Sequence, residues 1–453
     1  MKVVIVGSGP AGLFAAYKLV GHADVTVVDK GGDVDSRACP SPGECKAACK
    51  PCNILCGVGG AGLFSDGKII FSTKIGNNLN PVVNEAKNMA LVKEVVDIFS
   101  KYDVNVEKLS QESEREIEHL KKKARIVGGD FLYAPQAHIG TDKLLDLISC
   151  FKKDLESKGV KFLNKTEVLK VEDKEIVTNK ESLQYDKLIL APGRVGAGWL
   201  EQVMNDLKLE YSYNPIDIGV RVEVPKEITD STTKVVRDMK FYLRSDTYND
   251  LVRTFCTCPG GKVTRETHEG FNLVNGHSDS DDSSPNTNFA FLVTMPLTAP
   301  LSNTNYYGHK VADLAYVTGV KKPILQRLGD LRSGHRSHFE KKHEFLINPT
   351  LNDVVYGDIG LVLPHRVTLD IIEGLEKLDR IIPGVANDET LLYAPEIKFH
   401  GLKVITDEYL ATSRKNIYVA GDGAGLSRGI GGAACCGLLA AEGILKEAYK
   451  SKR

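Results

Sequence analysis

Ten cysteines stand in a chain of 453 residues, and five of them fall between positions 39 and 56. Cys39, Cys45, Cys49, Cys52 and Cys56 are separated by five, three, two and three residues. The CxxxCxxC of Cys45, Cys49 and Cys52 is a spacing that lets three thiolates converge on an iron–sulfur cluster. Cys39 is the preferred fourth ligand, because Cys56 already enters a glycine-rich turn. The same thiols suit zinc, a thiol–disulfide relay or plain scaffolding, and spacing does not separate these readings. Lys46 and Lys50 soften the charge of clustered thiolates and fit both functional readings. Further on, "TFCTCPGG" places Cys256 and Cys258 as candidate thiols facing a substrate. Arg428, in a glycine-rich turn with little bulk around it, is the third catalytic candidate. Cys435 and Cys436 read as helix-packing residues.

The elements that would position this chemistry begin at the N-terminus. "KVVIVG" is an apolar run of strand length feeding "GSGPAG", then the helical "LFAAYKLVGH", then the strand "DVTVVDK". Gly7 permits a tight turn, Gly9 lets backbone approach a pyrophosphate, and Gly12 lets helix and strand pack closely. Pro10 and Ala11 complete the turn, and the phosphates lie on the helix N-terminus. Asp29, followed by Lys30, ends the second strand and can accept from ribose hydroxyls. Strand, turn, helix, strand and acid in this order outweigh a glycine turn without a ligand. Two distant segments add to the site: "LILAPGR", with Ala191 and Gly193, and "YVAGDGAGLSRGIGGAACC", with Gly421, Asp422, Gly431 and Gly432. The helix starting near Gly431 can aim its positive end at a flavin edge. "GVGGAGLFSDGK" supplies Gly60, Ala61, Gly62, Ser65 and Asp66 as a loop along the ring. A dinucleotide domain assembled from such distant pieces suits FAD, and no second complete GxGxxG indicates a separate nicotinamide domain.

Together with "HIGTDKLLD", "DIGVRVE", "LLYAPEIKF" and "VAGDGAGLSRGI", these motifs make the chain resemble the uncharacterised FAD-dependent dehydrogenases known as FAD-dependent protein C. Those belong to the glutathione-reductase-like flavoproteins, and the resemblance covers nearly the whole chain. It implies that Gly7, Gly9 and Gly12 hold the FAD pyrophosphate and Asp29 the adenosine ribose. Val168 would flank the adenine with its backbone, and Asp422 would meet the ribityl or pyrophosphate region. Such proteins often carry Glu where this chain has the shorter Asp29.

Composition agrees with a globular protein of two or three domains: 26% charged, 42% hydrophobic and a formal net charge of -1. That charge argues against nucleic acid as the main partner, and the basic "HLKKKAR" reads as a solvated helix end. No apolar run reaches membrane-spanning length. The N-terminal hydrophobic stretch is broken by glycine and proline, so it reads as strand and turn rather than a signal peptide, which predicts a cytoplasmic protein.

The expected fold is α/β, a Rossmann-like FAD-binding domain with an inserted mixed α+β second domain. The FAD domain is expected from 1–75, 138–205 and 388–453, with 76–137 a mostly helical insertion and 206–387 a substrate or cap domain. Pro323 reads as a helix start. The segment "NGHSDSDDSSPNTN" reads as a loop. His138 reads as a core or capping histidine as readily as a catalytic one, Thr141 and Asp142 as helix-start residues, Arg221 as an anion site or an acid's partner, and Glu396 with Lys398 as a strand-face pair. The function expected is an FAD-dependent oxidoreductase passing hydride or electrons between a small-molecule substrate and a carrier, the substrate lying at the interface of the two domains. The alternatives are a thiol/disulfide-linked flavin reductase and a flavin redox sensor that binds a partner.

Overall fold

Lys2–Val6 is a strand because its apolar residues are covered on both faces, and a run buried twice over need not alternate. It forms the centre of a five-stranded, wholly parallel sheet in the computed structural model, which describes residues 1–39, 49–64, 67–268, 270–277 and 284–450. The strand order is Ile417–Val419, Lys187–Leu190, Lys2–Val6, Asp24–Val28, Lys161–Leu163. Against it pack the helix Pro10–Leu19 and the long C-terminal helix Ile430–Lys450. These two approach so closely that a Cβ on Gly437 would lie 2.0 Å from the Ala11 carbonyl oxygen. The amphipathic helix Glu85–Ser100 is capped by the Asn84 side chain and buries Leu91, Val95, Ile98 and Phe99 in the same core.

The chain divides into two units, the first comprising Met1–Lys108, Ala134–Asn214 and Gly401–Arg453. The second comprises Leu109–Tyr133 and Pro215–His400 and is built on an eight-stranded sheet. Its order is Val355–Tyr356, Ile324–Arg327, Leu391–Lys398, Ile216–Pro225, Asn286–Met295, Leu251–Pro259, Phe241–Arg244, Asp130–Phe131. All pairs are antiparallel except the two strands at the Val355 edge, so the sheet is mixed. The helix His365–Asp379 lies on it with Gly374 at the contact, where a Cβ would press the Phe291 ring at 2.9 Å. The architecture is thus α/β with a Rossmann-like region and an additional mixed α+β unit.

The boundaries differ from those expected at three places, each because strand pairing is non-local. Residues 76–137 do not form one helical insertion. Glu85–Ser100 belongs to the first core, whereas Gln111–Ile126 buries Ile117, Leu120 and Ala124 in the second, and Asp130–Phe131 extends the large sheet. The strand Leu391–Lys398 lies inside the eight-stranded sheet, between Ile216–Pro225 and Ile324–Arg327, so the first unit resumes only at Gly401. Tyr211–Tyr213 pairs with Leu402–Val404 and keeps the first unit going to Asn214. Pro323 precedes a strand, not a helix, since Ile324–Arg327 pairs with Leu391–Ala394. The polar "NGHSDSDDSSPNTN" runs from one strand end to the next, and its centre, 278–283, lies outside the described residues. The basic run 119–125 ends the helix Gln111–Ile126, whose acidic first turn and basic last turn both complement the helix dipole.

Candidate functional site

In the first unit the fingerprint glycines sit where the second and first parallel strands end. Gly7 has φ +106° and donates its N–H to the Val28 carbonyl at 2.8 Å. A Cβ there would lie 2.1 Å from the Ala191 carbonyl oxygen, and one on Gly12 would lie 1.9 Å from that of Gly7. Packing within the protein therefore explains both. Gly9 is different: a Cβ would meet nothing nearer than the Gly60 Cα at 3.7 Å. Gly9 also stands at the N-cap of Pro10–Leu19 with no side-chain cap and no acidic residue in the first turn. The N–H groups of that turn thus have no side-chain cap, a setting that suits an anionic phosphate.

Asp29 is held by groups close at hand. Its Oδ2 accepts from the Ser8 N–H at 2.8 Å and the Ser8 hydroxyl at 2.7 Å, and its Oδ1 accepts from the Gly31 N–H at 2.8 Å. A carboxylate has about four acceptor positions, so it keeps one for a further donor. The Thr166 N–H donates to the Asp29 carbonyl at 2.9 Å, which brings the segment leading to Val168 beside this strand end. Gly57, Gly59 and Gly60 all have positive φ, and the Gly59 N–H donates to the Ser8 carbonyl at 2.9 Å. Ala61 and Gly62 follow in a short 3-10 turn, while Ser65 and Asp66 lie outside the described residues.

Around the third segment, Asp422 accepts from the Ser427 hydroxyl at 2.6 Å and lies 3.7 Å from Arg194. Gly193 and Gly421 have positive φ, as a sharp turn at a strand end requires. Gly431 and Gly432 have a local reason for lacking side chains: Cβ atoms there would lie 2.1 Å from the Ile70 oxygen and 1.9 Å from the Gly76 oxygen. Arg428 is exposed, and Lys30 is half-buried beside Asp29.

The cysteine segment is organised by a residue that sequence reasoning missed. Arg37 is buried, and its guanidinium donates to the carbonyls of Asn53, Ile54, Gly57 and Val58 at 2.9, 2.5, 3.3 and 2.6 Å. Burial pushes the adjacent Cys56 thiol up, so it stays protonated. Cys39, Cys49 and Cys52 are half-buried free thiols, and Cys45 lies outside the described residues. Among the described residues no group of three or more His, Cys, Asp or Glu is arranged to hold a metal. Cys39, Cys49 and Cys52 by themselves do not make up such a group. Cys435 and Cys436 are buried in the C-terminal helix and burial pushes both thiols up, as packing residues should be.

The second unit has its own polar cluster. Arg221 is fully buried on the strand Ile216–Pro225. Its Nε donates to Asn288 Oδ1 at 2.8 Å, and its Nη2 to the Cys256 carbonyl at 2.7 Å and Cys258 Sγ at 3.2 Å. Its Nη1 lies 3.4 Å from Glu396, which pairs with Lys398 at 3.1 Å, so the acid-partner reading of Arg221 and the strand-face pair both hold. A second network leaves no mark in the sequence: Asp217 accepts from Arg253, Thr294 and His400 at 2.5, 2.6 and 2.6 Å. Burial opposes ionisation of Asp217, yet Arg253 and His400 outweigh it and hold the carboxyl well below its usual range. Its members are more than thirty residues apart in the chain, so no local pattern announces it.

Two family models match. Residues 215–398 fit the model described as FAD-dependent protein, C-terminal domain-like. The fold is that of an FAD-dependent oxidoreductase. Residues 5–45 fit a NAD(P)-binding Rossmann-like domain, a turn geometry shared by both dinucleotides. An uncharacterized protein of Clostridium beijerinckii is 27% identical, over 98% of this chain and 81% of that relative. Among solved structures, L-proline dehydrogenase from P. horikoshii is similar at 13% identity, covering 98% of this chain and 93% of its own, with a TM-score of 0.39. Glycine oxidase from Geobacillus kaustophilus is similar at 10% identity, covering 99% and 94%, with a TM-score of 0.35. Likeness at that level does not bear on the reaction or its substrate. Among the described residues no helix is long and apolar enough to cross a membrane.

Proposed function

We propose that the first unit binds FAD and that the chain belongs with the FAD-dependent protein C-like dehydrogenases, passing reducing equivalents between a small-molecule substrate and an electron carrier. The observation that carries this reading is Gly9, the one fingerprint glycine for which the protein's own packing gives no reason. Gly7, Gly9, Pro10, Ala11 and Gly12 would hold the pyrophosphate through the uncapped N–H groups of the first helical turn. Asp29, already oriented by Ser8 and Gly31, would accept a ribose hydroxyl with its remaining acceptor position. Lys30 and the backbone at Val168 would line the adenosine end, and Asp422 with Gly421 the opposite end. Gly60, Ala61 and Gly62, with Ala191 and Gly193, would let backbone close over the cofactor. Gly431 and Gly432 would set the C-terminal helix close to that end through packing rather than contact. Bound FAD supplies hydride or single-electron chemistry, and the protein's part is binding, orientation and exclusion of water.

Titration of the flavin-free chain with FAD, wild type against Gly9→Ala, tests the proposal. A methyl group at position 9 has room in the protein, so the variant is expected to melt within a few degrees of wild type. It should bind FAD at least about tenfold more weakly, the equivalent of about 1.4 kcal/mol. Equal affinity in the two proteins would contradict the assignment of this turn.

A further inference from the structure

The strand Leu251–Pro259 carries a bulge between Phe255 and Cys258, where its register against Asn286–Met295 shifts. At the bulge Cys256 takes φ +49°, a left-handed conformation that a side chain adopts only when its surroundings hold it there. Bulges re-aim side chains. Here the result is a half-buried Cys256 thiol next to a buried Cys258 thiol, one residue apart. Arg221 fixes both, the same nitrogen holding the Cys256 carbonyl at 2.7 Å and Cys258 Sγ at 3.2 Å. The slot around the guanidinium is closed: a Cβ on Gly276 would fall 1.7 Å from Arg221 Nη2. Two fully buried polar atoms beside it, Asn288 Nδ2 and Glu396 Oε2, have no hydrogen-bond partner. Buried polar atoms are seldom left so.

From this geometry we infer that Cys256 and Cys258 form a redox-active dithiol that exchanges with low-molecular-weight disulfides, with Arg221 as its positioning residue. The half-buried Cys256 is the nucleophile and the buried Cys258 the resolving thiol. A hydrogen bond from Cys258 lowers the Cys256 thiol to about 6; burial and Asp238 oppose this, and Arg221 and Lys240 add to it. The Cys256 thiolate attacks one sulfur of R–S–S–R, forming a mixed disulfide and releasing one RS⁻, which takes a proton to become RSH. Cys258 then loses its proton, its thiolate held by the Arg221 cation, and attacks the Cys256 sulfur. The internal disulfide forms and the second RS⁻ leaves as RSH. Two protein thiols and one disulfide thus become one protein disulfide and two small thiols, with no other oxidant.

This inference rests on the second unit's residues and not on the flavin reading, and its readout is mass rather than turnover. The folded full chain is treated with 2-hydroxyethyl disulfide, quenched with acid, alkylated and digested. Wild type should show an internal disulfide between Cys256 and Cys258, with no mercaptoethanol retained on either of the two. Cys258→Ser should retain one mercaptoethanol on Cys256, and Cys256→Ser should leave Cys258 unmodified. Arg221→Lys, checked by its melting curve, should accumulate the mixed disulfide several-fold by slowing the second step. A wild-type chain that stops at the mixed disulfide, or whose pair stays reduced while folded, would overturn the proposal. So would preferential modification of Cys258 in Cys256→Ser.

Discussion

Each unit sets a buried arginine beside cysteines, and the two arrangements have opposite consequences. Arg37 directs its donors at four backbone carbonyls, and the neighbouring Cys56 thiol is pushed up by burial. Arg221 gives one nitrogen to a carbonyl and a sulfur together, and the Cys256 thiol beside it is lowered to about 6. The residue types are the same. What differs is the balance at each thiol: burial is the largest cause at Cys56 and outweighs Arg37, whereas at Cys256 the hydrogen bond from Cys258 is the largest and Arg221 adds to it. Arg37 shapes a loop through backbone carbonyls, and Arg221 holds the thiol pair in place.

The largest effect that would break this contrast is kinetic. With its thiol lowered to about 6, Cys256 should be alkylated by iodoacetamide at a rate that rises through pH 6 and then levels. Cys56 should still be rising above pH 8, since its thiol lies above the ordinary value. At pH 6 the thiolate fraction favours Cys256 by more than about a hundredfold, since Cys56 lies above its ordinary value, and its weaker intrinsic nucleophilicity returns about tenfold or somewhat more of that. A net preference of about tenfold or more for Cys256, measured by peptide mass, is the expected outcome. Equal rates would dissolve the contrast.

A smaller effect should appear in stability. Arg37→Met leaves four carbonyls of the 53–58 turn without their donor, and loss of a buried hydrogen-bonded cation costs roughly 2–4 kcal/mol. The denaturation midpoint of the first unit should fall accordingly, while alkylation of Cys256 should not change. A midpoint equal to wild type would show that the turn does not depend on Arg37.

A further effect belongs to acid. Asp217 has a folded pKa depressed below its unfolded one, so its contribution is fully present above about pH 4. It is lost as pH falls further toward the folded value. Asp217→Asn should therefore reduce stability near neutrality and flatten the loss of stability below pH 4, measured by urea unfolding at several pH values. A parallel pH profile in the two proteins would remove Asp217 from the acid response.

What could be read from sequence follows from the range of the forces involved. Gly12 was legible because its steric reason, the Gly7 carbonyl, lies in the adjoining turn, whereas Gly7 was legible only through the motif, its own close neighbour being the distant Ala191 carbonyl. The parallel sheet was legible from its continuous apolar strands. Gly431 and Gly432 invited a cofactor reading that the Ile70 and Gly76 carbonyls make unnecessary, since a backbone oxygen from far along the chain leaves no mark in the sequence. For the same reason Arg37 went unread: its partners are carbonyls, which every residue has. The strand Leu391–Lys398 was placed in the wrong unit because only pairing with Ile216–Pro225 decides its sheet. The bulge at Cys256 was likewise invisible, although the two cysteines were not.

Flavin stoichiometry of the full-length chain tests the central assignment most directly. Titration with FAD, followed by filtration and the visible spectrum of the retained protein, should show one FAD per chain. A folded chain that retains no FAD at saturating concentration would contradict it.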